Sequence, residues 1–207
     1  MTKLYKLTNH VNQTYNNTQW GEGVTHTASG VGPLCSSGWI HAYTHPLLAI
    51  LLNPIHADFL SPRLWEAKGE IGISDCGLKI GCKILTTIKE IPLPVISLEQ
   101  KVKFAILCGL EVCSEPSFVG WANAWLDGSD RSKKAAELYV RDTTAHMTKK
   151  AAMWAAELWD KKKGEWSVMR TGARIDAVNW SVGMGALSAR KAQNEIDLIK
   201  IAVKAME

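Results

Sequence analysis

Apolar and polar positions alternate with period two in short runs of the first 95 residues, and recur every three to four positions over most of the remaining chain. Residues 3–8 read as a strand, because Leu4 and Lys6 alternate with Tyr5 and Leu7 ahead of Thr8-Asn9. Residues 9–37 are mostly turn chemistry, with Asn16-Asn17 and a glycine-rich segment through Gly30 and Gly32-Pro33. Pro46 disfavours helix in the residue before it, so 39–43 reads as a strand and 46–52 as a helix with proline at its first position. Residues 63–73 supply a further strand, and 78–91 one or two more, rich in Ile and Thr. Pro92 and Pro94 cannot donate to a ladder and end the sheet region.

From Ser97 the period becomes helical. Ser97 and Gln100 fit a capping box, and Val102, Ile106 and Leu110 form a stripe with Ala105. A shorter helix over 117–126 stops at Asp127-Gly128. Over about 130–162, Ala136, Val140, Thr143, Met147, Ala151, Trp154 and Leu158 share one face of a long helix whose other side carries mixed charge. Helices over 167–182 and 188–206 complete the chain, the last burying Ile196, Ile199, Val203 and Met206. The predicted fold class is α+β. A small β-rich domain with a possible ligand cleft occupies 1–95, and a helical bundle with one long Ala/Trp-rich helix occupies 96–207.

Composition narrows the chemistry. A 46% hydrophobic content suffices for a core, and 24 basic against 20 acidic residues leave +4, too mild to point to specific nucleic-acid binding. The five cysteines are odd in number and form no C-x-x-C pair, which argues for reduced thiols rather than disulfides or a zinc ribbon. The longest apolar run, 47–52, is too short to span a bilayer. A protein of the cytoplasm is expected from these features.

Five of the six histidines fall in the first 95 residues. His41 and His45 have metal-ligand spacing only on a helix, and Pro46 places His45 in a turn, so no metal site is predicted. His10, His26 and His56 read as polar loop residues with local hydrogen bonds, and Cys35 as an inert thiol. No nucleophile elbow, P-loop or dinucleotide fingerprint occurs, and no cofactor is identified.

Four runs stand together: KLYKLTN (3–9), TQWGEGVTHT (18–27), GWIHAYTHPLLA (38–49) and LWEA (64–67). In this set the chain resembles a group of uncharacterised proteins encoded by tailed bacteriophages and prophages. That resemblance implies an accessory protein of the host bacterial cytoplasm, where counter-defence and host takeover are common tasks. A second, N-terminal pattern is Leu4-Tyr5 followed by Gly38-x-x-x-Ala42-Tyr43-x-x-Pro46-x-x-Ala49. It resembles the dinucleotide cleft of ADP-ribosyltransferases, with Lys6 where that family generally has Arg or His. Glu66, Glu70 and Glu90 are the candidate acids, and spacing does not select among them.

Three functions remain open. The first is a phage protein that binds and inhibits a host defence component or sequesters a nucleotide signal. Its partner is then a bacterial host protein or a small nucleotide, contacted through Tyr5, Lys6, Trp39, His41, Tyr43 and Arg63 by stacking and phosphate binding. The second is an ADP-ribosyltransferase-like or dinucleotide-cleaving enzyme, and the third an assembly factor that self-associates through the helical domain.

Overall fold

The structure is a computed structural model that describes residues 2–75, 77–132, 135, 183, 184, 186 and 196–207. It divides into two compact units, Met1–Val95 and Ile96–Glu207.

The first unit is an antiparallel sheet. Strands β1 (Thr2–Thr8), β6 (Arg63–Ser74) and β7 (Ile80–Ile91) lie side by side, and the far edge of β7 is shared by β4 (Thr25–Thr27) and β5 (Ile40–Ala42). A short hairpin of β2 (Gln13–Thr14) and β3 (Thr18–Gln19) stands apart. Directly after β5, Tyr43 pairs with Tyr5 of β1 through Tyr5 N–H to Tyr43 O at 2.9 Å and Tyr43 N–H to Tyr5 O at 2.8 Å. That single pair joins the two ends, so β1, β6, β7 and β5 form a ring closed at one point.

Closure gives the sheet an inside. Paired residues share a face, so Leu4, Ala67, Ile80, Cys82, Leu85 and Ala42 point together and bury one another, with Trp20 as the plug. The opposite face of β1 and β6 carries Leu7 and Leu64, both buried, and helix α1 (Pro46–His56) packs against β1. Helix α1 starts as expected, with Pro46 at its first position, but continues past Pro54 to His56. Asn53 organises its end: the buried side chain exchanges hydrogen bonds with both backbone groups of Phe59, at 3.0 and 3.1 Å.

Strands β1, β6 and β7 fall where alternation placed them, β7 as one strand of 12 residues. The 9–37 segment holds more order than its turn chemistry implies, because β4 finds its partners far along the chain, Thr25 with Thr86 and Thr27 with Ile84.

In the second unit the expected helical bundle is corrected. The described residues form three short helices, α2 (Leu98–Leu110), α3 (Pro116–Asp127) and α4 (Leu198–Met206), and show no C-terminal bundle. The physical reason lies in α2. A bundle helix buries one stripe along its length, whereas α2 keeps Glu99, Lys101 and Lys103 partly exposed in its first half and buries Phe104 through Gly109 without interruption in its second. Helix α4 also turns differently from the expectation: Leu198, Ile201, Ala202 and Ala205 are buried, while Val203 is 45% exposed. The capping box forms in full, and Gly128 ends α3 at φ 83°, a left-handed conformation that suits glycine. Of the proposed long helix over 130–162 only 130–132, which are not helical, and 135 are described; its Ala/Trp seam for self-association and the helix over 167–182 lie outside the described residues.

Candidate functional site

The six residues expected to contact a ligand do not converge on one point. Tyr5 and Tyr43 are direct cross-strand partners and so share a face, which His41 and Trp39 also share by alternation. Lys6 points to the other side, into the ring. Arg63 sits opposite Thr8, three positions along β1 from Tyr5 and roughly 10 Å away. There it is held by Glu90 in an exposed ion pair and lies 5.9 Å from the Trp65 ring centroid.

Trp39 does not line an open mouth. A methyl group added at Gly72 or Gly81 would overlap its side chain, so these two glycines form the bed in which Trp39 lies. Its indole N–H donates to Gly32 O at 2.8 Å, fastening the 31–38 loop over this face. His41 fastens the same loop, with Nε2 at 2.5 Å from Leu34 O, so its proton is on Nε2.

Lys6 has a structural employment. Beyond the Tyr5–Tyr43 pair β1 and β5 separate, leaving the His41 carbonyl without a strand partner, and Lys6 Nζ donates to it at 2.8 Å. The ammonium lies 5.0 Å from the Trp20 ring centroid and beside Cys82, in an interior where no described carboxylate pairs with it. Burial lowers its pKa to about 8, and burial raises that of the Cys82 thiol to about 11.

A different cluster emerges on the Tyr43 face. His56, in the last turn of α1, stacks on Tyr43 with ring centroids 5.8 Å apart, and its Nδ1 lies 3.0 Å from the tyrosine hydroxyl. Lys79, at the foot of β7, is 9% exposed and its ammonium makes no hydrogen bond or ion pair among the described residues. Its charge acts on both His56 and His41. Burial first, then the charges of Lys79 and His41, lower the His56 pKa to about 4. Burial also lowers that of His41, with Lys79 and Lys6 adding to the effect against the Leu34 hydrogen bond. Tyr43 is pushed upward by burial and stays a phenol. Lys79 buries most of its stem while its ammonium is not among the buried polar atoms that lack a partner, so the cluster is a lysine charge that reaches solvent near two imidazoles kept neutral.

Sequence reasoning missed two of these groups. His56, read as a loop residue, is four positions after the buried Leu52 and continues the helical period that Pro54 disguises. Lys79 alternates with the buried Leu78 and Ile80 and so has the pattern of a solvent-facing strand position.

Among the described residues no group of three or more His, Cys, Asp or Glu could hold a metal ion, and Cys35, Cys82, Cys108 and Cys113 are free thiols. No helix among them is long and apolar enough to cross a membrane. Of the three candidate acids, Glu66 pairs with Lys3 at 3.2 Å and Glu90 with Arg63, while Glu70 is exposed and forms no ion pair among the described residues. Comparison of the chain with protein-family models, with curated proteins and with solved structures gives no match.

Proposed function

We propose that this chain is a ligand-sequestering protein of the phage-accessory kind its sequence resembles, which takes up a small anionic nucleotide and withholds that signal from a host defence component. The observation that supports this reading is the positive charge of Lys79, which acts on both His41 and His56, together with the stacked Tyr43–His56 pair. An anionic ligand is attracted by that charge, and the His56 ring, which is only partly buried, offers a base or ribose an aromatic neighbour. Binding is favoured over ADP-ribosyl transfer because two of the three candidate acids, Glu66 and Glu90, are tied into ion pairs and the third, Glu70, is solvent-exposed.

The test has two arms. Freshly purified protein is denatured and the released small molecules are identified by mass spectrometry; the refolded or ligand-free protein is then titrated calorimetrically with a panel of linear and cyclic nucleotides. A released or bound nucleotide, with affinity lowered at least about tenfold by Lys79→Gln, is expected from the loss of one charge-assisted contact. No released molecule and no heat with any nucleotide overturns the reading. Capture of a host protein by a chain that binds no nucleotide would assign the function to inhibition by direct contact instead. Labelled dinucleotide incubated with the protein and host extract is expected to remain uncleaved.

A further inference from the structure

We infer that His56 and Tyr43 form an acid-sensitive latch, in which protonation of His56 releases the Tyr43 hydroxyl and opens the ring of strands at the Tyr5–Tyr43 pair. Three contacts in series carry it. His56 Nδ1 lies 3.0 Å from the Tyr43 hydroxyl, the two rings stack with centroids 5.8 Å apart, and the Tyr43 backbone makes both bonds of the closing pair, at 2.8 and 2.9 Å. The latch needs no bound ligand and so stands apart from the nucleotide reading.

The direction of the side-chain bond follows from the phenol. Tyr43 is buried and its hydroxyl has no other partner among the described residues, so the O–H donates to Nδ1 and the imidazole carries its proton on Nε2. A second proton can enter only at Nδ1. It turns that atom from acceptor into donor and leaves the buried hydroxyl proton without an acceptor. The surroundings oppose the added charge as well: His41 and Tyr43 stand on or directly after β5, Lys79 directly before β7, and His45 at the far end of α1. Asp58, just past the helix, is exposed and forms no ion pair among the described residues. Burial first, then the charges of Lys79 and His41, hold the His56 pKa down, so the closed latch resists the proton and the open one accepts it. His56 is only partly buried in the last turn of α1, and its charged ring relieves both penalties by swinging into water.

The seam is built to respond. Tyr5 and Tyr43 make the only backbone pair between β1 and β5 among the described residues. Leu7 and His41, the next partners in antiparallel register, do not bond to each other, and the His41 carbonyl accepts from Lys6 Nζ at 2.8 Å instead. With no neighbouring ladder bond to hold it, the pair depends on the Tyr43 side chain being seated, and a hydroxyl without an acceptor unseats it. The helix end itself is held separately, by the two Asn53–Phe59 bonds and by the Ala57 and Asp58 N–H groups on Asn53 O. The opening is therefore confined to the imidazole and the seam, and it frees the facing edges of β1 and β5.

Amide hydrogen exchange on the ligand-free full chain, corrected for intrinsic rates and followed by NMR at about pH 7, 6 and 5, tests the latch. Protection of the Tyr5 and Tyr43 amides is expected to fall with pH, by up to about tenfold per unit between 6.5 and about 4, the limit for one proton. The Ala57 and Ile201 amides, bonded to Asn53 O and Asp197 O, are expected to keep theirs. His56→Gln removes the titrating group and Tyr43→Phe the hydroxyl that transmits it, so in both the response at the seam is expected to vanish. Circular dichroism with thermal melts establishes that the variants are folded. Seam protection that is independent of pH, or that falls in step with Ala57 and Ile201, overturns the latch. So does a response that survives in folded His56→Gln or Tyr43→Phe.

Discussion

Lys6 illustrates how one side chain can be sited for structure while resembling chemistry. Its ammonium satisfies the carbonyl left free where β1 and β5 separate, at the cost of lying desolvated in the ring interior. Its folded pKa of about 8 is below the ordinary lysine value of 10.5, so between those two values the unfolded chain holds a proton that the folded chain has released. Stability therefore rises with pH across that window. Lys6→Met is expected to lack this gain, so the difference in unfolding free energy between wild type and variant changes by up to about 3 kcal/mol between about pH 8 and 10 in urea titrations. A pH-independent difference would show that Lys6 titrates normally. Trp39 is the second case. Gly72→Ala is expected to cost about 1–3 kcal/mol by overlap with the indole, and pairing it with Trp39→Ala to recover part of that loss, read as non-additivity in the same titrations.

At the scale of elements, helix ends and strand seams decide where residues come together. Gln100 serves two partners: its side chain accepts from the Ser97 N–H at 2.9 Å to complete the capping box, and donates to Met206 O at 2.9 Å, fastening the end of α4 to the start of α2. Ser97→Ala is expected to cost about 1 kcal/mol and to speed amide exchange in the first turn of α2 alone. Gln100→Ala is expected to speed exchange in the last turn of α4 as well. Exchange unchanged in α4 would refute the link. In the first unit the single Tyr5–Tyr43 pair has the corresponding role, since it closes the ring and also sets Tyr43 beside His56.

For the molecule as a whole, three histidines contribute to the loss of stability on the acid side, beside carboxylates such as Glu90 whose ion pair with Arg63 holds its pKa down. His41, His45 and His56 all have folded pKa values below the ordinary 6.5, burial being the first cause in each, and that of His56 reaches about 4. As pH falls below 6.5 the unfolded chain takes up protons that the folded chain refuses, so stability is lost progressively toward about pH 4. The His56 share is at most about 3 kcal/mol and less where solvent reaches the ring. His56→Gln is expected to flatten the profile between pH 6.5 and about 4, and a bound nucleotide to raise the melting temperature. An unchanged acid limb in the variant would remove His56 from this role.

Much of the local architecture was legible in the chain itself. Alternation marks β1, β6 and β7, the Ser97–Gln100 box marks the start of α2, Gly128 marks the end of α3, and Pro46 marks the start of α1, because each depends on backbone geometry within a few residues. Partnerships across long separations were settled by packing alone: Tyr5 with Tyr43, Thr25 with Thr86, and the continuous burial of 104–109 in α2. The candidate site divides along the same line. Tyr43 and His41 belong to a recognisable segment, but Lys79 and His56 join them only because the sheet closes and α1 folds back across it, and burial and unpaired charge are properties of that enclosure rather than of any local pattern of residues.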